Sequence, residues 1–236
     1  MATTSHSLVP PTYNTPNMAT ATAAANATGP QTLKDPIVSI KPTTDTRPPT
    51  TRTTYTLNTG AKIPALGIGT FQDPDSQEDT VCQVLQHGMR LIDTARVYGV
   101  EKQVGRGIKK SGVPREEIFL GTKLWCNDFH PDDVERAVDD SLRDLDTPYV
   151  DLLLMHYPCT FKRGEDRFPR DAEGRMIHGE TTFVDTWRAL EKVVETGKVK
   201  AIGVSNFSKG EIETLLRETS TVCHLPIPFT REIECN

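Results

Sequence analysis

Short apolar runs alternate with segments of helical periodicity from residue 55 onward. Short runs bounded by turn residues are typical of buried strands, whereas apolar residues spaced three and four apart indicate helices with one buried face. The strands are predicted at residues 65–68, 90–92, 118–120, 150–155 and 200–204, with a further candidate at Ile233. The helices are predicted at residues 76–87, 101–110, 131–145, 184–196 and 208–218. This alternation predicts an α/β fold of parallel strands covered by helices, which both an open doubly wound sheet and a closed barrel satisfy.

Local signals support the ends of these elements. Pro131 suits the first turn of a helix, and Asp132 favours the positive end of the helix dipole. Gly197 supplies a left-handed stop after the fourth helix. Ahead of the first strand, residues 55–64 are predicted to form a hairpin that turns at residues 58–60.

Residues 1–52 differ in composition from the rest of the chain, because they are rich in Thr, Ala, Pro and Asn. Such a segment cannot bury enough apolar surface to offset the entropy lost on ordering, so we expect a disordered N-terminal tail. The alternative is a mitochondrial transit peptide, because transit peptides are Ser-rich and acid-poor and this segment is Ser/Thr-rich and acid-poor. No arginine precedes Arg47, however, and the amphipathic face of such a peptide requires arginines.

Charge, hydropathy and cysteine content bear on the class of partner. The formal net charge of −5 does not favour binding to a polyanion such as nucleic acid. No apolar run approaches the roughly 18 residues of a membrane span, so we expect no membrane partner. The five cysteines are odd in number and include no CxxC pair, which argues against a disulfide framework or a zinc site. A reducing, cytoplasmic location fits this cysteine usage best.

Three polar residues stand at or just past the ends of successive predicted strands. Asp93, Lys123 and His156 each follow an apolar run, and Tyr98 lies on the loop after Asp93. The carboxyl ends of parallel strands form the active face of a barrel, so these four side chains are expected to converge there. Each alone has a simpler interpretation, as a turn residue, a solvated loop charge, a packed ring or a core histidine.

The four residue types together suit the reduction of a carbonyl group. Hydride attack leaves an alkoxide that needs a proton, and tyrosine with a pKa of about 10 is a poor acid for this step. An ammonium group lowers that pKa, so Lys123 is expected to activate Tyr98 while Asp93 holds Lys123 in place. His156 is expected to orient the carbonyl and donate a hydrogen bond to its oxygen.

Four spaced segments resemble motifs of the aldo-keto reductase family, in the expected order. They are HGMRLIDTARVYGVEKQVG (87–105), GTKLW (121–125), YVDLLLMHYP (149–158) and KVKAIGVSNF (198–207). The first segment contains the family's catalytic Asp and Tyr, the second its Lys and the third its His. Two positions depart from the pattern, since Met89 stands where an aromatic residue is usual and Tyr157 replaces a Trp.

The resemblance implies a (β/α)8 TIM barrel of aldo-keto reductase type and an NADP-dependent oxidoreductase that reduces aldehydes or ketones to alcohols, the alcohol dehydrogenase (NADP+) reaction. It assigns catalysis, with the tyrosine as proton donor, to Asp93, Tyr98, Lys123 and His156. It assigns the binding of NADPH to Gly69, Thr70, Phe71, Asp93, Ser205 and Asn206, the last two through the nicotinamide carboxamide. It assigns the binding of the small-molecule carbonyl substrate to Trp125, Tyr157 and His156.

Some of these residues have competing interpretations. Tyr98 and Lys102 spell the YxxxK motif of short-chain dehydrogenases, although the glycine-rich turn of that fold lacks its third glycine here. Ser205 and Asn206 also suit a turn-and-cap pair that opens the helix at Ser208.

The segment after the fourth main strand is expected to face the substrate. Residues 159–182 are long and polar, and they resemble what fungal members of the family carry at this place, which suggests small hydroxy-aldehyde or sugar-like substrates. Trp125 is expected to wall the same pocket, and a core position is its alternative.

The aldo-keto reductase barrel domain is expected to span residues 53–236 and to be truncated, incomplete after about strand six. Residues 223–236 take the place of the family's sixth-strand block, with Glu232 where a Gln is usual. The full-length family is expected to be monomeric, whereas unpaired strand edges of a truncated barrel favour self-association. The alternative function is therefore a catalytically inactive fragment or truncated gene product that binds NADPH weakly.

Deletion of residues 2–50 is predicted to leave thermal unfolding unchanged, because the composition of this segment supports no packed structure. Calorimetric Tm values of the two chains test this. A Tm lower by several degrees in the shortened chain would show that the segment docks on the rest of the protein.

Overall fold

The computed structural model describes residues 53–57, 60–71 and 73–219. The strands are β1 (Thr54–Thr56), β2 (Lys62–Pro64), β3 (Ile68–Gly69), β4 (Leu91–Asp93), β5 (Phe119–Leu124), β6 (Leu152–Met155) and β7 (Ile202–Val204). The helices are α1 (Gln77–Gln86), α2 (Glu101–Ser111), α3 (Pro131–Leu145), α4 (Phe183–Glu195) and α5 (Lys209–Glu218). All five predicted helices are confirmed with ends within about one residue, and the predicted strand at Ile233 lies outside the described residues.

The first predicted strand differs most from the structure. The apolar pattern predicts it at residues 65–68, whereas β3 covers only Ile68–Gly69. The backbone N–H of Ala65 donates to the carbonyl of Thr53 at 2.8 Å, so Ala65 extends the preceding hairpin instead. The hairpin itself is confirmed by the antiparallel pairing of β1 with β2, and its turn residues 58 and 59 lie outside the described residues.

Strands β3 to β7 form one parallel sheet whose order is the order of the chain. Each strand pairs with the strand before it, and a helix connects each pair. A doubly wound sheet reverses its strand order at a switch point, and the strands described between residues 68 and 204 show no reversal. Sequential order is that of a (β/α)8 barrel, so the open sheet is the wrong alternative.

Alternate residues of the strands pack on opposite faces of the sheet. Leu153 joins the larger apolar core beneath the helices. Leu152 and Leu154 join a smaller core on the other face, which Leu57 and Ile63 of the hairpin complete. Because every residue of β6 and β7 is buried, these strands read as continuous apolar runs rather than as alternating ones.

Capping residues fix where the last two helices begin. Thr182 and Asp185 form a reciprocal capping box at α4, and Ser208 and Glu211 form another at α5. Gly197 follows α4 with φ of 77°, which confirms the predicted left-handed stop. None of the helices between residues 53 and 219 is long and apolar enough to cross a bilayer.

Two glycines let α2 lie unusually close to its neighbours. A Cβ on Gly105 would lie 2.5 Å from the carbonyl oxygen of Leu145 at the end of α3. A Cβ on Gly107 would lie 2.6 Å from the carbonyl oxygen of Glu78 in α1. Both contacts are with backbone atoms, so a larger side chain can be accommodated only if whole helices move.

Gly105→Ala is predicted to destabilise the protein by about 1–3 kcal/mol, because the added methyl group must push α2 away from α3. Gly210→Ala is the matched control, since a methyl group on this helical glycine would have no heavy atom within 4 Å. Urea unfolding monitored by circular dichroism should give equal or slightly higher stability for the control than for the unaltered chain. Equal stability of the two variants would contradict the close packing at Gly105.

Candidate active site

The four predicted catalytic residues meet at the carboxyl edge of the parallel sheet. Asp93 is the last residue of β4, Lys123 lies near the end of β5, and His156 follows β6 directly. Tyr98 ends a single 3-10 turn, Arg96–Tyr98, on the loop after β4. Parallel pairing brings these strand ends to one edge, where a barrel places its functional residues.

Lys123 and Asp93 form a buried ion pair. The Lys123 Nζ lies 2.6 Å from Oδ2 of Asp93 and donates a second hydrogen bond to the carbonyl oxygen of Thr94 at 3.0 Å. Burial lowers the pKa of Lys123, and the negative charge of Asp93 opposes that shift. The carboxylate therefore both fixes the position of the ammonium group and favours its charged form.

Tyr98 lies between the ion pair and His156. Its ring centroid is 5.2 Å from the Lys123 Nζ and 5.6 Å from the centroid of the His156 ring. Burial, then the charge of Asp93 and then Tyr157 raise the pKa of Tyr98 to about 12. The expectation that Lys123 brings this pKa below its ordinary value is wrong for the protein alone, because burial and the charge of Asp93 raise it.

His156 is held as a neutral ring. Burial and, secondarily, the charge of Lys123 lower its pKa to about 3. The Nδ1 atom is buried and has no hydrogen-bond partner among the described residues. A neutral imidazole has one N–H donor and one acceptor nitrogen, so the ring can donate a hydrogen bond to a carbonyl oxygen.

Aromatic rings surround the His156 side of the site. Tyr157 stacks on the His156 ring at 5.2 Å and is 38% exposed. Trp125 is only 6% exposed and contacts His156, Tyr157 and Phe168 edge-on, at centroid distances of 5.2, 6.0 and 5.5 Å. Its indole N–H donates to the carbonyl oxygen of Arg167 at 2.7 Å. Trp125 therefore has the core position that its alternative interpretation predicts, and it also contacts the candidate catalytic residue His156.

The long loop of residues 159–182 folds over this aromatic group. The Asn127 amide donates to the carbonyl oxygen of Gly164 at 2.7 Å, and Phe161 pairs with His178 in an isolated antiparallel bridge. Phe168, which is 46% exposed, packs against Trp125. The loop thus lies beside the edge where the candidate catalytic residues meet, as its position in the sequence predicts.

Ser205 and Asn206 follow β7 on the same edge. The Ser205 N–H donates to the carbonyl oxygen of Met155 at 2.8 Å, and Asn206 has φ of 60°. The Asn206 amide nitrogen donates to the carbonyl oxygen of His156 at 2.8 Å and to the Ser205 hydroxyl at 3.1 Å. Ser208 caps α5, so Ser205 and Asn206 form the turn before that helix but not its cap.

The three residues at the end of β3 and just after it have different surroundings. A Cβ on Gly69 would meet no heavy atom within 4 Å, so its backbone borders open space. Thr70 is fully buried, and its hydroxyl donates to the Thr94 hydroxyl at 2.8 Å. Phe71 is 64% exposed and packs at 5.1 Å against the Tyr98 ring. The backbone of Gly69 and the ring of Phe71 are the accessible parts.

A buried polar network lies behind the Tyr98 turn, and the sequence does not predict it. Glu101 accepts hydrogen bonds from the hydroxyls of Thr122 at 2.7 Å and Ser141 at 3.2 Å, and Arg96 lies 3.5 Å from the same carboxylate. Burial raises the pKa of Glu101, and these partners oppose the shift. The one sequence signal is a charged residue at the start of a strongly amphipathic helix, inside the motif that also carries Tyr98.

The short-chain dehydrogenase alternative does not fit this geometry. The Lys102 side chain is 69% exposed and lies 3.8 Å from Asp144 on the surface of the helices. It therefore takes no part in the cluster around Tyr98. Between residues 53 and 219, leaving aside the few undescribed positions, no group of three His, Cys, Asp or Glu side chains is placed to hold a metal ion.

Comparison with known proteins identifies the family. The profile of the Aldo/keto reductase family matches residues 59–229, so this chain belongs to that family. It is 46% identical over 164 residues to an uncharacterized oxidoreductase of Schizosaccharomyces pombe, covering 69% of this chain and 51% of that protein. It is 45% identical over 187 residues to aldo-keto reductase family 1 member A1 of Xenopus tropicalis, covering 77% and 56% respectively.

A solved structure supports the same fold. The aldose reductase of Schistosoma japonicum superposes with a TM-score of 0.71 and 34% sequence identity, covering 73% of this chain and 59% of that one. The sheet from β3 to β7 is therefore part of the family's (β/α)8 barrel. The chain spans about half the length of the curated relatives it matches.

His156 is predicted to stay neutral as the pH falls from about 8 to about 5, because its pKa in the folded protein is far below the ordinary value. Below that ordinary value the unfolded chain binds a proton that the folded chain does not, so this residue destabilises the fold as the pH drops towards about 3. Nitrogen chemical shifts of labelled imidazole rings measure this, and His156→Gln identifies the resonance. A His156 resonance that titrates near neutrality would contradict the buried environment.

Proposed function

We propose that the protein reduces aldehydes or ketones to alcohols with NADPH, and that Tyr98 supplies the proton. The observation that carries the proposal is the meeting of Tyr98, a neutral His156 and the Lys123–Asp93 ion pair at one edge of a parallel sheet. Family membership supports it, since relatives of this chain include proteins named as oxidoreductases and aldo-keto reductases.

Tyr98 carries the proton that the product needs. With a pKa near 12, the hydroxyl is protonated throughout the physiological range. Proton transfer to an alkoxide leaves a phenolate, and a phenolate is stabilised by a nearby positive charge. Lys123 provides that charge next to the ring, and Asp93 keeps the ammonium group in position.

His156 orients the carbonyl group. As a neutral ring it offers an N–H donor to the carbonyl oxygen without competing with Tyr98 as an acid at neutral pH. Its edge-on contact with the Tyr98 ring places the two polar side chains on the same side of the site. A hydrogen bond that strengthens as negative charge develops on the oxygen lowers the barrier to reduction.

The residues around the site fit a nicotinamide cofactor. Both N–H groups of the Asn206 amide are used within the protein, so its Oδ1 is left to accept from a carboxamide NH2 group. Ser205 stands beside it, and open space borders the backbone of Gly69, which precedes Thr70 and Phe71. NADPH, when bound, supplies the hydride, and the choice of NADPH over NADH rests on the family alone.

The substrate is proposed to be a small hydroxy-aldehyde or a sugar-like carbonyl compound. Tyr157 presents a half-exposed ring next to His156, and Trp125 backs it. The polar loop of residues 159–182 borders the same rings through Phe168. A monomer in the reducing cytoplasm is proposed as the working form, in keeping with the free thiols of Cys82, Cys126 and Cys159.

Tyr98→Phe is predicted to lower kcat for glyceraldehyde reduction by about 10²–10⁴-fold, because general acid catalysis is worth that much and the ring keeps its packing. Oxidation of NADPH, followed by its absorbance, measures the rate. Tyr55→Phe is the control, since Tyr55 lies in β1 on the hairpin, and it should keep the wild-type rate.

Two outcomes would count against the proposal. If Tyr98→Phe keeps more than about a tenth of the rate, the proton comes from another group. If the unaltered chain neither binds NADPH nor oxidises it with any aldehyde, the catalytically inactive alternative is correct for this chain.

A further inference from the structure

Two cysteines that the proposed reaction does not use lie side by side on neighbouring loops of the site. Cys126 follows Trp125 on the loop after β5, and Cys159 lies two residues after Tyr157 on the loop after β6. Their sulfur atoms are 3.9 Å apart, which is van der Waals contact. Cys126 is fully buried and Cys159 is partly exposed, so Cys159 is the member of the pair nearer to solvent.

The contact between the two sulfurs shifts their pKa values in opposite directions. The hydrogen bond with Cys159 and burial raise the pKa of Cys126. The same hydrogen bond lowers the pKa of Cys159. Cys159, the partly exposed thiol of the pair, is therefore the one that ionises more readily. A partly exposed cysteine with a lowered pKa, in contact with a second thiol, is the arrangement of a redox-sensitive cysteine pair.

We propose that Cys126 and Cys159 form an oxidative modification site, in which a peroxide converts the two thiols to a disulfide. The Cys159 sulfur attacks one oxygen of hydrogen peroxide, the O–O bond breaks, and the departing hydroxide takes up the proton of the Cys159 thiol, so that a sulfenic acid and one water form. The Cys126 sulfur then attacks the Cys159 sulfur, the S–S bond forms, and the hydroxyl group leaves with the Cys126 proton as a second water. The two thiols lose two electrons and the peroxide gains them.

The bond would alter the aromatic wall of the site. A disulfide has sulfurs about 2.05 Å apart, so the two sulfur atoms must approach each other by about 2 Å, through rotation of the side chains, movement of the loops or both. The Phe161 N–H already donates to the carbonyl oxygen of Cys126 at 3.0 Å, which ties the loops together next to the pair. Trp125 and Tyr157 are carried by the same loops, with ring centroids 6.0 Å apart. The oxidised protein therefore presents a changed wall beside His156.

Treatment of the full chain with hydrogen peroxide, followed by alkylation under denaturing conditions and peptide mapping by mass spectrometry, tests the site. The expected product is a peptide pair joined through Cys126 and Cys159, which dithiothreitol releases. Cys126→Ser should give no such pair and should leave Cys159 as a sulfenic or sulfinic acid. Cys82→Ser is the matched control, because Cys82 is a buried thiol of α1 and its loss should leave the joined pair unchanged.

Three results overturn the proposal. They are the absence of the joined peptides at complete peroxide consumption, equal yields of disulfides through other cysteines, and oxidation of Cys159 in the unaltered chain that stops at the sulfinic acid. The peptide map needs no enzymatic activity, so its failure is distinct from a failure of the proposed reductase function. Where reduction of glyceraldehyde is measurable, peroxide should lower it and dithiothreitol restore it in the unaltered chain but not in Cys126→Ser.

Discussion

The Lys123 ammonium group is almost removed from water at the end of β5, and the Asp93 carboxylate makes that placement tolerable. An unpaired buried charge costs several kcal/mol, and the 2.6 Å contact offsets this cost. The pairing of β4 with β5 puts Asp93 opposite Gly121, two residues before Lys123, so the two charges meet only in this register. Tyr98 takes its position from the turn after β4, and His156 takes its position from β6, which pairs with β5 on the other side. The pairing register of β4 with β5 and the Lys123–Asp93 ion pair therefore stabilise the same arrangement of the two strands.

Most of the fold could be predicted because its signals are local and repeated. The buried face of α4 recurs at helical spacing through Trp187, Leu190 and Val193, and the capping box at Thr182 marks its start. Strands β6 and β7 are buried on both faces and stand out as apolar runs. The convergence of Asp93, Lys123 and His156 then follows from the rule that parallel strands share one carboxyl edge. The position of β3 is predicted wrongly because a strand of two residues carries too little pattern to be located.

The parts that could not be predicted depend on contacts between distant segments. The raised pKa of Tyr98 results from burial and from Asp93, which no spacing along the chain reveals. The Glu101 carboxylate accepts hydrogen bonds from the hydroxyl of Thr122, 21 residues later in the chain, and from that of Ser141, 40 residues later. Neither of these two residues has a distinctive sequence context. The sulfur contact between Cys126 and Cys159 likewise spans 33 residues. Electrostatic properties of a site are therefore set by tertiary packing, even where the residues themselves can be recognised.

The sequential order of the sheet has a consequence for how the chain acquires its structure on the ribosome. Each strand from β4 to β7 finds its partner in the strand synthesised just before it, so the sheet can grow in step with translation. The β1–β2 hairpin is the exception. It is synthesised first, but Leu57 and Ile63 belong to an apolar cluster with Phe119, Leu152, Leu154 and Ala201, the last three of which emerge about 90 residues later or more. The apolar side of the hairpin is therefore fully covered only after most of the sheet has left the exit tunnel.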